Sequence, residues 1–196
     1  MKKLLLGSAM VSALFSPVAF AETPSFNVVE GGYSRLSSIG SDDNADGLTI
    51  RGSTELTDMI YINGEYTSRT LDDATNNVLA NDDIDLNTAS IGLGVKFPVG
   101  ESTAVYGEAN YVNLKSKSLG ESDTEIGHNL AFGVRSMISP STEVYGELAN
   151  TEMFATATEV TAGIRQYFND NLGVFAEYSR NDLDSYHYNV GVSYKF

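Results

Sequence analysis

The chain has 196 residues, with 12 Lys and Arg against 26 Asp and Glu, a net charge of −14 and no cysteine. That charge excludes nucleic acid as a partner, because its phosphates would be repelled. Without cysteine there is neither a disulfide nor a thiolate metal site.

In chain order, Lys2 and Lys3 open the sequence, Leu4 to Phe15 form a short apolar run, and Pro17 precedes Ala19-Phe20-Ala21. This pattern predicts a secretory signal peptide over 1–21 with Ala19 and Ala21 as the cleavage site. The apolar run is shorter than the about 18 residues a membrane-spanning helix needs. Residues 22–196 amount to one domain's worth of chain. A small exported domain without disulfides needs another source of stability. Closing a barrel in lipid supplies one, since every strand edge is then paired.

From Phe26 onward, alternating runs of about ten residues are broken by turn residues, the mark of transmembrane barrel strands. The runs lie at 26–36, 46–56, 60–69, 85–97, 103–115, 125–137, 143–153, 157–168, 172–181 and 185–196. The last is the clearest: Tyr186, Tyr188, Val190, Val192, Tyr194 and Phe196 alternate with His187, Asn189, Gly191, Ser193 and Lys195. The expected fold is all-β, an antiparallel up-and-down transmembrane β-barrel of about ten strands, with eight as the alternative. Tight connectors at 56–59, 98–102, 138–142 and 169–171 belong to the periplasmic side, and the longer, more acidic ones to the outside. A hairpin repeat supports the division. Tyr106-Gly107-Glu108, Tyr145-Gly146-Glu147 and Phe175-Ala176-Glu177 share one phase, with Tyr61 to Glu65 as a looser copy. A repeat in fixed phase with the turns implies one supersecondary unit used several times.

Parity then sorts the side chains. Tyr33, Tyr66, Tyr111, Tyr178 and Tyr188 fall at one end of the lipid face, and Phe97, Phe168, Tyr194 and Phe196 at the other. Rings at both headgroup levels are expected of such a barrel. The opposite parity places Glu30, Arg51, Glu65, Lys96, Glu108, Arg135, Glu147, Arg165 and Glu177 in a lumenal charge layer, with Glu55 and Lys195 also inward. Facing lipid near the midplane, each Arg or Lys would cost about 2–4 kcal/mol. Paired in the lumen, the charges satisfy one another. Inward Gly94, Gly133, Gly163 and Gly191 leave room for Tyr106, Tyr145 and Phe175, which suits a filled, narrow interior. Glu108, Glu147 and Glu177 are expected to share a layer with Arg135 and Arg165.

The closing residues Asn189, Gly191, Tyr194 and Phe196 resemble the C-terminal assembly signal of bacterial outer-membrane proteins. With Val29-Glu30-Gly31-Gly32-Tyr33 near the start, the chain is similar to the small outer-membrane β-barrels, the superfamily of OmpX and the OmpA transmembrane domain. The resemblance implies a Gram-negative outer membrane, recognition by the barrel-assembly machinery, and lipid and lipopolysaccharide as neighbours of a monomer. Those relatives have eight strands, fewer than the runs counted here. No periplasmic peptidoglycan-binding domain is expected after Phe196.

Three constellations could carry chemistry. Asp42-Asp43-Asn44-Ala45-Asp46-Gly47 copies the first half of a calcium loop, but its twelfth position is Ser53 instead of the bidentate Glu, which favours an acidic turn. His187, near Asp184 and Ser185, could serve a rim hydrolase of the outer-membrane protease or lipid A-modifying type, yet no active-site motif surrounds it. The inward charges could form a filter, but the mixture of signs favours packing. No catalytic residue, cofactor or metal site is expected. The reading is a non-enzymatic barrel acting at the surface or envelope through acidic loops, with a narrow, weakly cation-preferring pore as the rival.

Overall fold

A computed structural model of the chain describes residues 23–38, 44–71, 84–118 and 121–196. The segment read as a signal peptide, with Ala19 and Ala21, lies outside the described residues, as do Asp42 and Asp43.

Ten strands form one closed barrel: β1 (Val28–Ser38), β2 (Asn44–Glu55), β3 (Ile60–Leu71), β4 (Ile84–Pro98), β5 (Thr103–Ser118), β6 (Glu121–Ser139), β7 (Thr142–Glu152), β8 (Thr156–Tyr167), β9 (Leu172–Asn181) and β10 (Ser185–Lys195). Each strand pairs antiparallel with its sequence neighbours, and β1 pairs with β10 to close the wall. No edge is left to seek a partner, as a sheet in lipid requires. The count is ten, not the alternative of eight. The connections at 56–59, 99–102, 140–141 and 168–171 share one end with both termini of the barrel, the periplasmic end; the connections at 153–155 and 182–184 at the opposite end are equally short, so the expected contrast in length does not hold there.

Strand parity places the aliphatic residues on the outer wall. Ile50, Ile91, Leu93, Leu130, Phe132, Val160, Val190 and Val192 are all exposed, a wall that is stable only against lipid. Tyr33, Tyr66, Tyr111, Tyr178 and Tyr188 are exposed near the extracellular ends, and Phe97, Phe168, Tyr194 and Phe196 at the periplasmic rim. Tyr178 and Tyr188 stack at 5.1 Å, and Tyr188 meets Tyr186 edge-on at 5.6 Å.

Three sequence expectations change. Phe26 does not begin β1; the strand starts at Val28, and residues 24–26 turn inward, with Phe26 only 2% exposed. The hairpin of β5 and β6 runs well beyond 103–115 and 125–137, keeping register out to Ser118 opposite Glu121. Its outer part is polar, so its alternation carries no apolar signal. Asn44 to Gly47 are not a turn but the first residues of β2. There the outward Asp46 accepts from the Tyr33 hydroxyl and pairs with Arg35 at 3.5 Å. A calcium-type loop is therefore not what these residues build.

The closing seam explains a pair of glycines. Gly32 on β1 lies opposite Gly191 on β10. A Cβ on either would run into the other strand's backbone. The two strands approach too closely there for any side chain.

Candidate functional site: a stapled floor and a carboxylate layer

The interior is built on the repeated hairpin. Tyr61, Tyr106 and Tyr145 point inward from β3, β5 and β7 and lie over Gly94, Gly133 and Gly163 of the next strand, where a Cβ would strike the ring. Each tyrosine hydroxyl then reaches past that glycine to a glutamate two strands on. Tyr61 donates to Glu108 at 2.7 Å, Tyr106 to Glu147 at 2.7 Å and Tyr145 to Glu177 at 2.8 Å. The Gly is what lets the ring lie flat against the wall, and the Glu sits two residues after the next tyrosine in the repeat. The rings and carboxylates thus wind around the lumen as one spiral. Phe175 occupies the tyrosine position of the last copy and has no hydroxyl. The Arg51 guanidinium lies 5.0 Å from its ring centre instead.

Below this spiral, towards the periplasm, six charges form an alternating chain. Arg51 joins Glu177 at 2.8 Å to Glu30 at 2.7 Å. Arg165 holds Glu30 with two bonds of 2.7 and 3.0 Å and also Glu143. Arg135 grips Glu143 with bonds of 2.7 and 3.1 Å. Beside this chain, Lys96 pairs with Glu55 at 2.6 Å. All six groups of the chain are buried or nearly so, and each carboxylate meets two guanidinium groups or one with additional donors. Buried charges persist only with such compensation.

The N-terminal segment completes this floor. Phe26 packs on Tyr61 at 4.6 Å and against the edge of Tyr106 at 5.7 Å. Arg135 and Lys96 lie over its ring at 4.2 and 5.0 Å. Its N–H donates to Glu55 at 2.9 Å, and Arg135 donates to the Ser25 carbonyl at 2.8 Å. A cation over an aromatic face in a desolvated site contributes about 2 kcal/mol. The periplasmic half of the lumen is therefore filled by rings and closed ion pairs.

The extracellular half differs. A cavity of about 380 Å³ runs up the lumen from the floor, where Phe26, Glu30, Arg51, Arg135 and Arg165 border it, to Glu65, Glu108, Glu147, Glu159, Arg69 and His187. Among the described residues, Glu65, Glu108 and Glu147 have no cationic group within 4.0 Å; they accept from Thr67, Tyr61 and Tyr106. Arg69 donates to Ser34 at 3.0 and 2.7 Å rather than to a carboxylate.

The nine residues of the sequence's charge layer all point inward, but not as one layer. Arg135 and Arg165 bond Glu143 and Glu30, not Glu108, Glu147 or Glu177. Glu143, Glu159 and Arg69 complete the set; their parity matches Tyr145, Arg165 and Glu65, a signal the sequence already held. Tyr61, the looser copy, is the ring that fills the space at Gly94. Lys195 points inward over Tyr167 at 4.9 Å. His187 faces Glu159 at 3.5 Å, while Asp184 pairs with Arg180 at 3.7 Å and Ser185 contacts Ser38, so the three do not assemble around one point. His128 is outward, beside Glu152 at 3.2 Å. Asn189 and Gly191 face inward, Tyr194 and Phe196 outward, and the Phe196 N–H donates to Asn27 at 3.1 Å across the seam.

Comparison with known structures places the fold. An outer membrane channel of Pseudomonas putida is 13% identical over 92% of this chain and 99% of its own, with a TM-score of 0.53. The KdgM porin is 13% identical over 86% of this chain and 99% of its own, TM-score 0.48. Ail, the attachment invasion locus protein of Yersinia pestis, is 18% identical over 86% and 96%, TM-score 0.41. Comparison with curated protein sequences gives no match. The model of the outer membrane protein beta-barrel domain matches residues 6–196. With an aliphatic outer wall, two aromatic girdles and a closed ring of strands, the chain belongs to the outer membrane protein beta-barrel domain family and resides in the Gram-negative outer membrane.

Proposed function

We propose that this barrel is a non-enzymatic, non-conducting surface protein that presents acidic loops to the outside and serves envelope integrity. The observation that carries the reading is the floor: Phe26 wedged between Tyr61, Tyr106 and Arg135 over a neutral, fully paired chain of arginines and glutamates. An ion crossing it would have to break buried pairs that cost about 3–5 kcal/mol each when one partner is removed. Among the described residues His187 has Glu159 as its side-chain partner and no bonded nucleophile, which supports the non-enzymatic side of the reading. A planar bilayer carrying the refolded full chain tests it. Current indistinguishable from bare lipid is expected; steady, protein-dependent conductance would favour a narrow cation-preferring pore, for which the carboxylates of the upper lumen speak.

Lipid and lipopolysaccharide are the expected neighbours of the outer wall. At its extracellular end, Arg35 and the rings of Tyr33, Tyr186 and Tyr188 border an outward concavity, a mixture of cation and aromatic suited to phosphorylated headgroups. A closed wall without edges supports a monomer. We assign recognition by the assembly machinery to Asn189, Gly191, Tyr194 and Phe196. Deleting Phe196 should lower the amount of heat-modifiable, folded protein in the outer membrane; unchanged amounts would refute the assignment.

A further inference from the structure

We infer that the outer edge of β6 is a docking site for another protein, which adds there as an extended strand with Lys or Arg at alternate positions. β6 outruns its neighbour. Its ladder with β5 continues to Glu121, whereas its ladder with β7 ends at His128 opposite Glu152, where the chain turns back into β8. Among the described residues, Glu121 to Gly127 are therefore paired on one side only. The register identifies the backbone groups left over. The Met137 N–H donates to Ser102 on the β5 side. By strand alternation the odd-numbered residues of β6 bond β5, and the even-numbered ones face the other way. Ser122, Thr124 and Ile126 thus turn N–H and C=O groups to the open side. The Thr124 N–H bonds the carboxylate of its own neighbour Asp123 at 2.9 Å, not a strand.

The side chains select the occupant. Glu121, Asp123 and Glu125 share one face of the projecting strand, and Ser122, Thr124 and Ile126 the other. An opposite charge directly across a strand pair contributes about 0.2–1 kcal/mol, and a like charge opposes pairing. A strand with cations facing the three acids is favoured, while a neutral or acidic strand is turned away. A second copy of this chain is disfavoured for the same reason, since an antiparallel β6 pair would set acid against acid. In such an addition the main chain supplies affinity and the alternate side chains supply specificity. The foot of the edge adds an apolar contact. Met153 lies so close to Gly127 that a Cβ there would strike it. Phe154, in the same turn, is 75% exposed, and Ile126 is 58% exposed.

The inference rests on the proposed surface role and names what the acidic outer hairpin holds; strand docking and conductance are measured separately, so either can fail alone. The probe is a dye-labelled heptapeptide of alternating Lys and Val, long enough to cover the free edge. Its fluorescence anisotropy is titrated with the refolded full chain in non-ionic micelles at physiological ionic strength, with empty micelles as the blank. Saturable binding is expected. The same peptide N-methylated at each Val, the residues that face Ser122, Thr124 and Ile126, keeps its charge but cannot form the ladder. It should bind at least about tenfold more weakly. Thr124→Pro removes an edge N–H that β5 does not use, a change edge strands tolerate, and should also weaken binding about tenfold or more. Heat-modifiable mobility checks that this variant folds, and the N-methylated peptide on the natural chain carries the test if it does not. Asp123→Asn with Glu125→Gln should weaken binding about threefold or more. Glu147→Gln, inside the barrel, should leave it unchanged. Absence of saturable binding, equal affinity for the N-methylated peptide, or a folded Thr124→Pro variant that binds like its parent would each overturn the edge as a docking site.

Discussion

The two halves of the lumen use the same residue types for opposite ends. In the periplasmic half, Glu30, Glu143 and Glu177 each lie within 2.8 Å of a guanidinium, and the charges cancel in an alternating chain. In the extracellular half, Glu65, Glu108 and Glu147 lean on hydroxyl groups and, among the described residues, have no cationic group within 4.0 Å. The difference shows that the YGE repeat does not by itself make a core. It builds a carboxylate shelf, and only where an arginine from another strand reaches the shelf does the interior close. Glu177 belongs to the shelf by repeat and to the floor by virtue of Arg51.

Variants can break this contrast. The largest effect is expected for Arg165→Ala. It leaves Glu30 with Arg51 alone and Glu143 with Arg135 alone, so the buried chain carries one uncompensated negative charge, and unfolding in lipid vesicles, followed by heat-modifiable mobility against urea, should lose about 3–5 kcal/mol. A loss near the about 0–1 kcal/mol of exposed pairs would mean that water fills the floor. Next is Val134→Arg, one residue from Arg135 but on the lipid face; it should cost about 2–4 kcal/mol and depress insertion. Normal insertion would show the facing of β6 to be reversed. Gly133→Ala should come third at about 1–3 kcal/mol, because the added Cβ meets the Tyr106 ring and forces overpacking. The smallest is Glu147→Gln. It keeps an acceptor for Tyr106 and removes a carboxyl group with no cation within 4.0 Å among the described residues, so stability should change by about 1 kcal/mol or less, in either direction. A loss as large as that of Arg165→Ala would erase the distinction between floor and shelf.

Much of this was legible in the sequence. Period-two alternation with lipid outside sorts Arg135 from Val134 and places both girdles, because a one-residue slip would turn every charge towards lipid. Glu143, Glu159 and Arg69 obeyed the same parity and needed only its consistent use. The pairing of particular charges was not legible. Arg165 on β8 meets Glu30 on β1, across the lumen, and that depends on barrel stagger and side-chain reach, not on neighbours in sequence. Nor was the turn at Phe26. Its alternation continues that of Val28 and Glu30, so the local pattern reads as strand, while the cations of Lys96 and Arg135 draw the ring into the mouth.

The central claim, that the floor seals the barrel, meets its most direct test in single-channel recording of the full chain beside a variant lacking residues 23–27. The full chain should be silent. The deletion removes the Phe26 wedge and the Ser25 carbonyl bond, and should give stepwise, cation-preferring openings, since the carboxylate shelf would then line the path. Conductance already present in the full chain, or a folded deletion variant that stays as silent as its parent, would contradict the account.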